Sequence, residues 1–484
     1  MANIDKKEEN KQLKKQLKQA QRKIEKLLSE NESLKTKNKV LTTESKKKTA
    51  EIDSLVYESG SERARRTSIP RYRHEEIAIR FAVLLYAYAG ISSHQVPKVM
   101  ELSNLLWEGV AENVPSHVTV IDWVEKCGMS LTAGSLRKKT AKEAYSLIID
   151  NSITMCGQDL HLELKTSTVH PGHPHTHRDV SIARMVVGSH WNKDATKREL
   201  DKTIALSGCR PAYVVSDNGE TMCNASEDMS IPTHRDISHS FGMFLERVYS
   251  KDVEFTDFIA KKGYARKFSH TPMAPLMPPR RREYARFMNV FDTVHWAKAM
   301  LENDRLLSSR EKWLLSFVRT HASLVEELDD VMNGYEYMEQ LCKQKGLSHK
   351  TASICREYVN RNFMTKGDRV RMLGDMIIHY FNREESLLKD DKPHNICSDI
   401  IESTFGYYKD RMSPNKNNGY TPLVLLIPLH LRVSTIEDCR SFNARIIRKS
   451  KLNDIKKWRV DNLLPNPSIK RLNLLRTVRI NLTT

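Results

Sequence analysis

The sequence predicts an α/β protein: a mixed sheet whose first three strands are antiparallel, interrupted by an all-α insertion and preceded by a coiled coil and a helical domain. Three observations lead there. From Tyr145 onward short apolar, β-branched runs alternate with turns, and two of them stop at an aspartate, Ser-Leu-Ile-Ile-Asp150 and Ala-Tyr-Val-Val-Ser-Asp217. Buried strands that deliver a carboxylate at their ends read this way. Residues 240–395 are helical in pattern almost throughout, apart from the turn-rich stretch 271–280. Residues 1–58 lack Gly, Pro and Phe and repeat apolar residues every seven positions.

The coiled coil, 1–58, has one seam of Leu13, Ala20, Leu27, Leu34, Leu41 and Leu55, interrupted by Lys48, and a second of Leu17, Ile24, Asn31, Asn38, Ser45 and Ile52. Leu at d with Asn at successive a positions favours a parallel dimer, because buried Asn pairs across two strands and penalises other registers. The expected state is a homodimer or a higher oligomer. A basic linker follows, 59–73, with Arg63, Arg65 and Arg66 suited to a DNA backbone or minor groove, or to a solvated tether.

Residues 74–140 read as a helix-turn-helix domain of three short helices. The first is stopped by Gly90 and the second buries Val99, Met100 and Leu102. The third is capped by Ser116, ends at Gly128 and presents His117, Thr119 and Lys126 to a DNA groove. The catalytic core begins in 145–240, with strands near 146–155, 159–167, 180–188, 212–217 and 231–236 and helices near 195–207 and 219–227. The insertion covers 241–395. The core resumes on a helix in 396–432, and a basic tail, 433–484, closes the chain.

Composition narrows the function. The 484 residues carry a formal net charge of +18, and from Arg432 to Thr484 thirteen Lys and Arg face four acids, a net of +9. Such a field attracts polyanions, and double-stranded DNA is the expected partner. Eight cysteines without a Cys-x-x-Cys pair argue against zinc ribbons and disulfide scaffolds and fit a reducing cytoplasm. The longest apolar run, 421–431, is broken by Pro422 and Pro428, so no membrane partner is expected.

The third acid is Glu402, in Ser-Asp-Ile-Ile-Glu-Ser-Thr-Phe-Gly-Tyr-Tyr-Lys, on a helical pattern with Lys409 two turns on. Asp399 lies one turn earlier and competes for the role. Asp150, Asp217 and Glu402 make an all-oxygen donor set for two Mg²⁺ ions, with Mn²⁺ as a substitute, and paired ions clamp the attacking and leaving oxygens of a phosphoryl displacement.

This order of acids resembles the DDE transposases of insertion-sequence type. Asp236-Ile-Ser-His239 is similar to their Cys/Asp-x-x-His motif, and Lys409 matches the basic residue seven positions after the Glu. The gap of 185 residues between Asp217 and Glu402 matches families with a large insertion before the Glu. The resemblance, over roughly 145–432, implies a ribonuclease-H-like core with catalytic and metal-holding Asp150, Asp217 and Glu402. It implies support from Asp236, His239 and Lys409, and a transposase that cuts element ends and joins them to target DNA. The alternatives are a DNA-binding regulator derived from such an enzyme, or a structure-specific nuclease on the same fold.

Three further segments carry expectations. Arg280, Arg281, Arg282 and Arg286 precede Phe287 and Trp296, pairing phosphate contacts with rings for an unstacked base; the alternative is that these rings are helical core. In the tail, Lys456, Lys457 and Arg459 flank Trp458 and suit DNA phosphates, against the alternative of a strap held by Leu463, Leu464, Leu472, Leu474 and Leu475. The loop holding His170, His173, His175 and His177 lacks the spacing of a rigid zinc site and reads as a polar hairpin.

Overall fold

The computed structural model describes residues 21–24, 26–38, 41–44, 48, 69–107, 113–135, 144–280, 290–412 and 419–483. The chain divides into two compact units, Met1–Ala78 with Trp107–Asn113, and Ile79–Leu106 with Val114–Thr484. In the first, the described residues of 21–44 are helical and exposed, with Ile24, Leu27, Leu34 and Leu41 more than half open to solvent. Leu13, Leu17, Ala20, Ser45, Ile52 and Leu55 of the heptad seams, and Arg63, Arg65 and Arg66, lie outside the described residues.

The second unit is built on a five-stranded sheet in the order β3-β2-β1-β4-β5. Its strands are β1 (Ser146–Met155), β2 (Gln158–Thr166), β3 (Ser181–Gly188), β4 (Val214–Ser216) and β5 (Thr233–Arg235). β1, β2 and β3 form an antiparallel meander, while β4 runs parallel to β1 and β5 parallel to β4. The expected mixed sheet is present, its strands within a few residues of the bounds read from the apolar runs. One face packs Leu147, Ile149 and Val214 against Leu200 of α4 (Lys193–Ser207) and Met222 of α5 (Glu220–Asp228). The other packs Ile148, Leu162 and Val215 against Ile401, Phe405 and Tyr408 of α14 (Asp399–Arg411). Period two along the strands thus sorts the side chains onto two buried faces.

Between β5 and α14 the described residues are mostly helical. It contains α6 (Ile237–Tyr249), α7 (Val253–Ala265), α8 (Val290–Glu302), α9 (Ser309–Leu314), α10 (Ser316–Thr320), α11 (Ala322–Lys345), α12 (His349–Asn362) and α13 (Asp368–Ser386). These helices have their own core around Phe241, Leu328, Tyr335, Phe363 and Phe381. A buried polar chain ties α13 to the sheet: His234 on β5 meets Glu384 at 2.8 Å and His394 at 2.9 Å, and Tyr380 donates to the Arg235 carbonyl. No helix among the described residues is long and apolar enough to cross a membrane.

Three expectations need correction. The helices α1 (Glu76–Ala87), α2 (Gln95–Leu106) and α3 (His117–Ser135) do not form a separate domain, since nearly all of their residues belong to the larger unit. Helix α3 does not stop at Gly128. It runs on because Gly128 lies against the Leu425 backbone, where a Cβ would overlap the carbonyl. With Val120, Trp123, Val124 and Cys127 buried, α3 is a core helix, and Lys126 is half-buried on it. Its N-terminal turn remains at the surface. There Ser116 accepts from the Thr119 amide, and the exposed His117 stacks on His94 at 4.0 Å. In α2, Leu102 is exposed rather than buried.

The C-terminal segment is not a loose tail, and the core does not end at 432. After α15 (Leu426–His430) and α16 (Ile436–Ser441), α17 (Leu452–Asn462) inserts Ile455 and Trp458, followed by Leu463, into the same apolar cluster as the sheet. Lys456, Lys457 and Arg459 occupy its exposed face. Beyond it, Leu472, Leu474 and Leu475 on α18 (Pro467–Thr483) are about half exposed or more, so the strap ends near Leu464. In the insertion, Trp296 is not a free ring: its indole N–H donates to the Leu276 carbonyl at 2.9 Å, and it stacks on Phe317. Arg280 is exposed, whereas Arg281, Arg282, Arg286 and Phe287 lie outside the described residues.

Candidate active site

The parallel ladder between β1 and β4 ends at the pair Ile149 and Ser216. One step further along both strands stand Asp150 and Asp217, side by side on strands about 4.8 Å apart. Both are half-buried. Asp150 shares its strand parity with Ile148, which faces α14, the helix that carries Glu402. Asp217 turns the chain sharply: its Oδ1 accepts from the Gly219 amide at 3.0 Å, and a Cβ on Gly219 would come within 2.8 Å of that oxygen. The neighbouring Asn218 is anchored to Ser240 on α6.

Asp236 and His239 join these pieces. Asp236 is fully buried at the start of α6. Its Oδ1 accepts from the His239 amide at 2.8 Å and lies 3.1 Å from His239 Nδ1. Its Oδ2 accepts from the backbone and hydroxyl of Ser398, at 2.6 and 2.9 Å, and Ser398 is the residue before α14. One carboxylate therefore fixes the starts of two helices, with the Ile237 amide to the Ile396 carbonyl as a further rung. His239 extends the link, placing Nε2 3.4 Å from Glu402. The two motif residues thus cap α6 and reach Glu402.

The electrostatics agree with this wiring. Burial works to raise the Asp236 carboxyl, but the hydrogen bonds and charge of His239 and the Ser398 amide outweigh it and hold it below the usual range. His239 is pushed up to about 9, first by its hydrogen bond to Asp236 and then, against burial, by the charges of Asp236, Glu402 and Asp217. Asp150 is raised to about 7 by burial, then by Asp217, with a smaller push from Glu402. Glu402 is raised by burial, partly offset by His239. Asp399 is engaged elsewhere, 2.6 Å from Lys343, which also reaches Glu339. Glu402 instead faces His239. Lys409 is exposed two turns along α14.

Among the described residues, no group of three or more His, Cys, Asp or Glu is arranged to hold a metal ion. The three acids are oxygen donors, the type a hard cation takes, and the Asp150 carboxyl is raised first by burial, with like charge from Asp217 and Glu402 adding to it.

The His-rich loop is packed against its surroundings. The buried His170 donates its amide to the Pro393 carbonyl, His175 lies 3.2 Å from Thr166 Oγ1, and His177 meets His430 edge-on. Burial pushes His170 down to about 4 and lowers His175 and His177, so these rings are neutral. Sequence spacing alone had no means of showing that this loop borders α14. It forms one side of a cleft of about 710 Å³ whose floor includes Asp399, Ile400 and Ser403.

No protein-family model matches the chain, and no curated protein matches it.

Proposed function

We propose that the protein is a DDE-type DNA transposase that cuts the ends of a mobile element and joins them to target DNA. The observation that carries this is Asp150 and Asp217 standing one step past the last paired residues of two neighbouring parallel strands, on a sheet packed against the helix that carries Glu402. The strand order, an antiparallel meander followed by two parallel strands on its β1 side, resembles the ribonuclease-H-like fold and supports the same reading.

Asp150, Asp217 and Glu402 would hold Mg²⁺. Bound there, a pair of such ions supplies Lewis-acid stabilisation of the phosphoryl oxygens and lowers the pKa of bound water. The chain's own groups set the geometry. Asp236 locks α6 to α14, so Glu402 approaches from a fixed helix, and protonated His239 holds the Glu402 carboxylate beside the strand-borne pair. At such a site water would open the strand, and the freed 3′-hydroxyl would attack a target phosphodiester, with no covalent bond to the protein.

For binding, Lys456, Lys457 and Arg459 lie together on the outer face of α17, available to phosphates. A parallel homodimer through 1–58 would cover the exposed Leu27, Leu34 and Leu41; an unchanged particle size after removing 1–58 would rule it out.

The test is strand cleavage with full-length protein. Asp150→Asn, Asp217→Asn and Glu402→Gln should each lower Mg²⁺-dependent cleavage by at least about two orders of magnitude while DNA is still bound. Unimpaired cleavage in these variants overturns the assignment. Native protein that binds without cutting identifies the regulator, and cutting without joining identifies the nuclease. In the same preparations, changing Lys456, Lys457 and Arg459 to Gln should flatten the slope of log affinity against log salt by about 0.9 for each phosphate no longer neutralised. An unchanged slope removes α17 from the interface.

A further inference from the structure

The cleft beside α14 has walls unlike a phosphate site. One wall is the loop carrying His173, His175 and His177, and the other is Thr435 and Glu437 at the start of α16. The lining includes the carboxylates of Asp179, Asp399 and Glu437. Of the cations at hand, Arg178 is 2.6 Å from Asp438, and Lys343 is held by Asp399 and Glu339. A DNA backbone would meet more negative than uncommitted positive charge there. What the walls offer instead is flat neutral rings and hydroxyls. His175 and His177 are kept uncharged by burial, and Thr176, Ser403, Ser434 and Thr435 also line the cleft, with Thr176 donating to Asp179 and Ser434 and Thr435 donating to Asp438, so that these three oxygens face a ligand as acceptors. His177 Nε2 is buried with no hydrogen-bond partner, a polar group whose desolvation is not offset within the chain. Ser403 follows Glu402 directly on α14, so the cleft opens one residue from the candidate acid. Its volume falls in the range of pockets that enclose small organic ligands.

We propose that this cleft takes an unpaired nucleobase from the strand whose phosphodiester lies at Asp150, Asp217 and Glu402. Imidazole faces stack on the base, and the hydroxyls meet its edge. A base in the cleft leaves its backbone outside the acidic walls and anchors the strand next to the scissile bond. The substrate class this implies is DNA with an unpaired nucleotide at the reacting position, rather than uniform duplex. The inference rests on the strand-cutting reading of the three acids.

The probes are two duplexes, one blunt and one with a short single-stranded overhang, each carrying 2-aminopurine, in the overhang or paired. Full-length protein should bind the overhang duplex more tightly and quench its fluorescence. Ser403→Trp, which fills the cleft from an exposed position, should lower overhang affinity about five- to tenfold and leave blunt-duplex affinity unchanged, as removal of one base–ring stack requires. His173→Ala, which removes a half-exposed ring, should act in the same direction. An abasic overhang that binds as tightly as the natural one, or equal weakening on both duplexes, overturns the cleft. The two readings fail separately. Mg²⁺-dependent cleavage without overhang preference defeats the cleft alone, and overhang preference without cleavage defeats the strand-cutting assignment alone.

Discussion

The two ends of α14 are held by opposite kinds of chemistry. At its start, charged groups meet: buried Asp236 accepts from Ser398, half-exposed His239 reaches Glu402, and Lys343 takes Asp399. At its far end, rings and carbonyls meet. Tyr407 stacks on His430 at 3.5 Å and donates its hydroxyl to the Ala87 carbonyl; Arg411 lies over the Tyr407 ring and donates to the Tyr86 carbonyl. Gly90, with φ of +78°, leaves room for that guanidinium, which a Cβ would approach to 2.6 Å. The histidines mark the contrast. His239 is raised to about 9 and charged, whereas burial, aided by His177 and Arg411, lowers His430 to about 3 and keeps it neutral. The helix that carries the candidate acid Glu402 is thus steered electrostatically at one end and bolted by packing at the other.

The largest effect expected is from Asp236→Ala, which leaves the Ser398 amide and hydroxyl and the His239 amide without their acceptor. The cost should be about 3–5 kcal/mol, as for removing one partner of a buried charged pair, seen as a lower midpoint in denaturant and as loss of cleavage. A midpoint equal to the native one would show that α14 needs no clamp at its start. Next, acid and base should loosen opposite ends. The neutral His430 contributes stability that is complete above the unfolded pKa of about 6.5 and is lost as pH falls toward 3. The charged His239 contributes stability that is complete below about 6.5 and is lost as pH rises through 9. Hydrogen exchange of α14 amides across pH should show protection fading first at the Tyr407 end in acid and first at the Glu402 end in base. Fading from one end at both extremes would show that a single anchor governs the whole helix. The smallest effect belongs to Arg411→Ala. It should cost about 1–2 kcal/mol, for one hydrogen bond and one cation–π interaction, and a larger drop in activity than in stability would show that the far end also aims Glu402.

The strands were legible because apolar, β-branched runs between turns have few other readings; Asp217 does follow the end of β4, whereas β1 runs on to Met155 and Asp150 lies within it. The burial of α3 was not legible. Amphipathy shows that Val120 and Val124 turn inward, but not that the helix packs against the 422–430 segment and α17. Gly128 misled for a related reason: a glycine chosen for close backbone approach has the same letter as one that stops a helix. The C-terminal charge was real, yet net charge says nothing about the inward face that carries Ile455 and Trp458. Within the site, Asp236 and His239 were recognisable as a pair. That the second oxygen of Asp236 caps a helix 162 residues later is a tertiary fact that local pattern does not encode.

That long-range cap also sets a clock. A ribosome adding about 5–20 residues per second exposes Asp150 and Asp217 roughly 10–40 s before it reaches Glu402, and the residues made in that interval are chiefly the helical insertion. The sheet edge must wait for a domain to fold beside it before Ser398 can find Asp236. A nascent chain released or broken anywhere in those residues therefore carries two of the three acids and no means of bringing in the third.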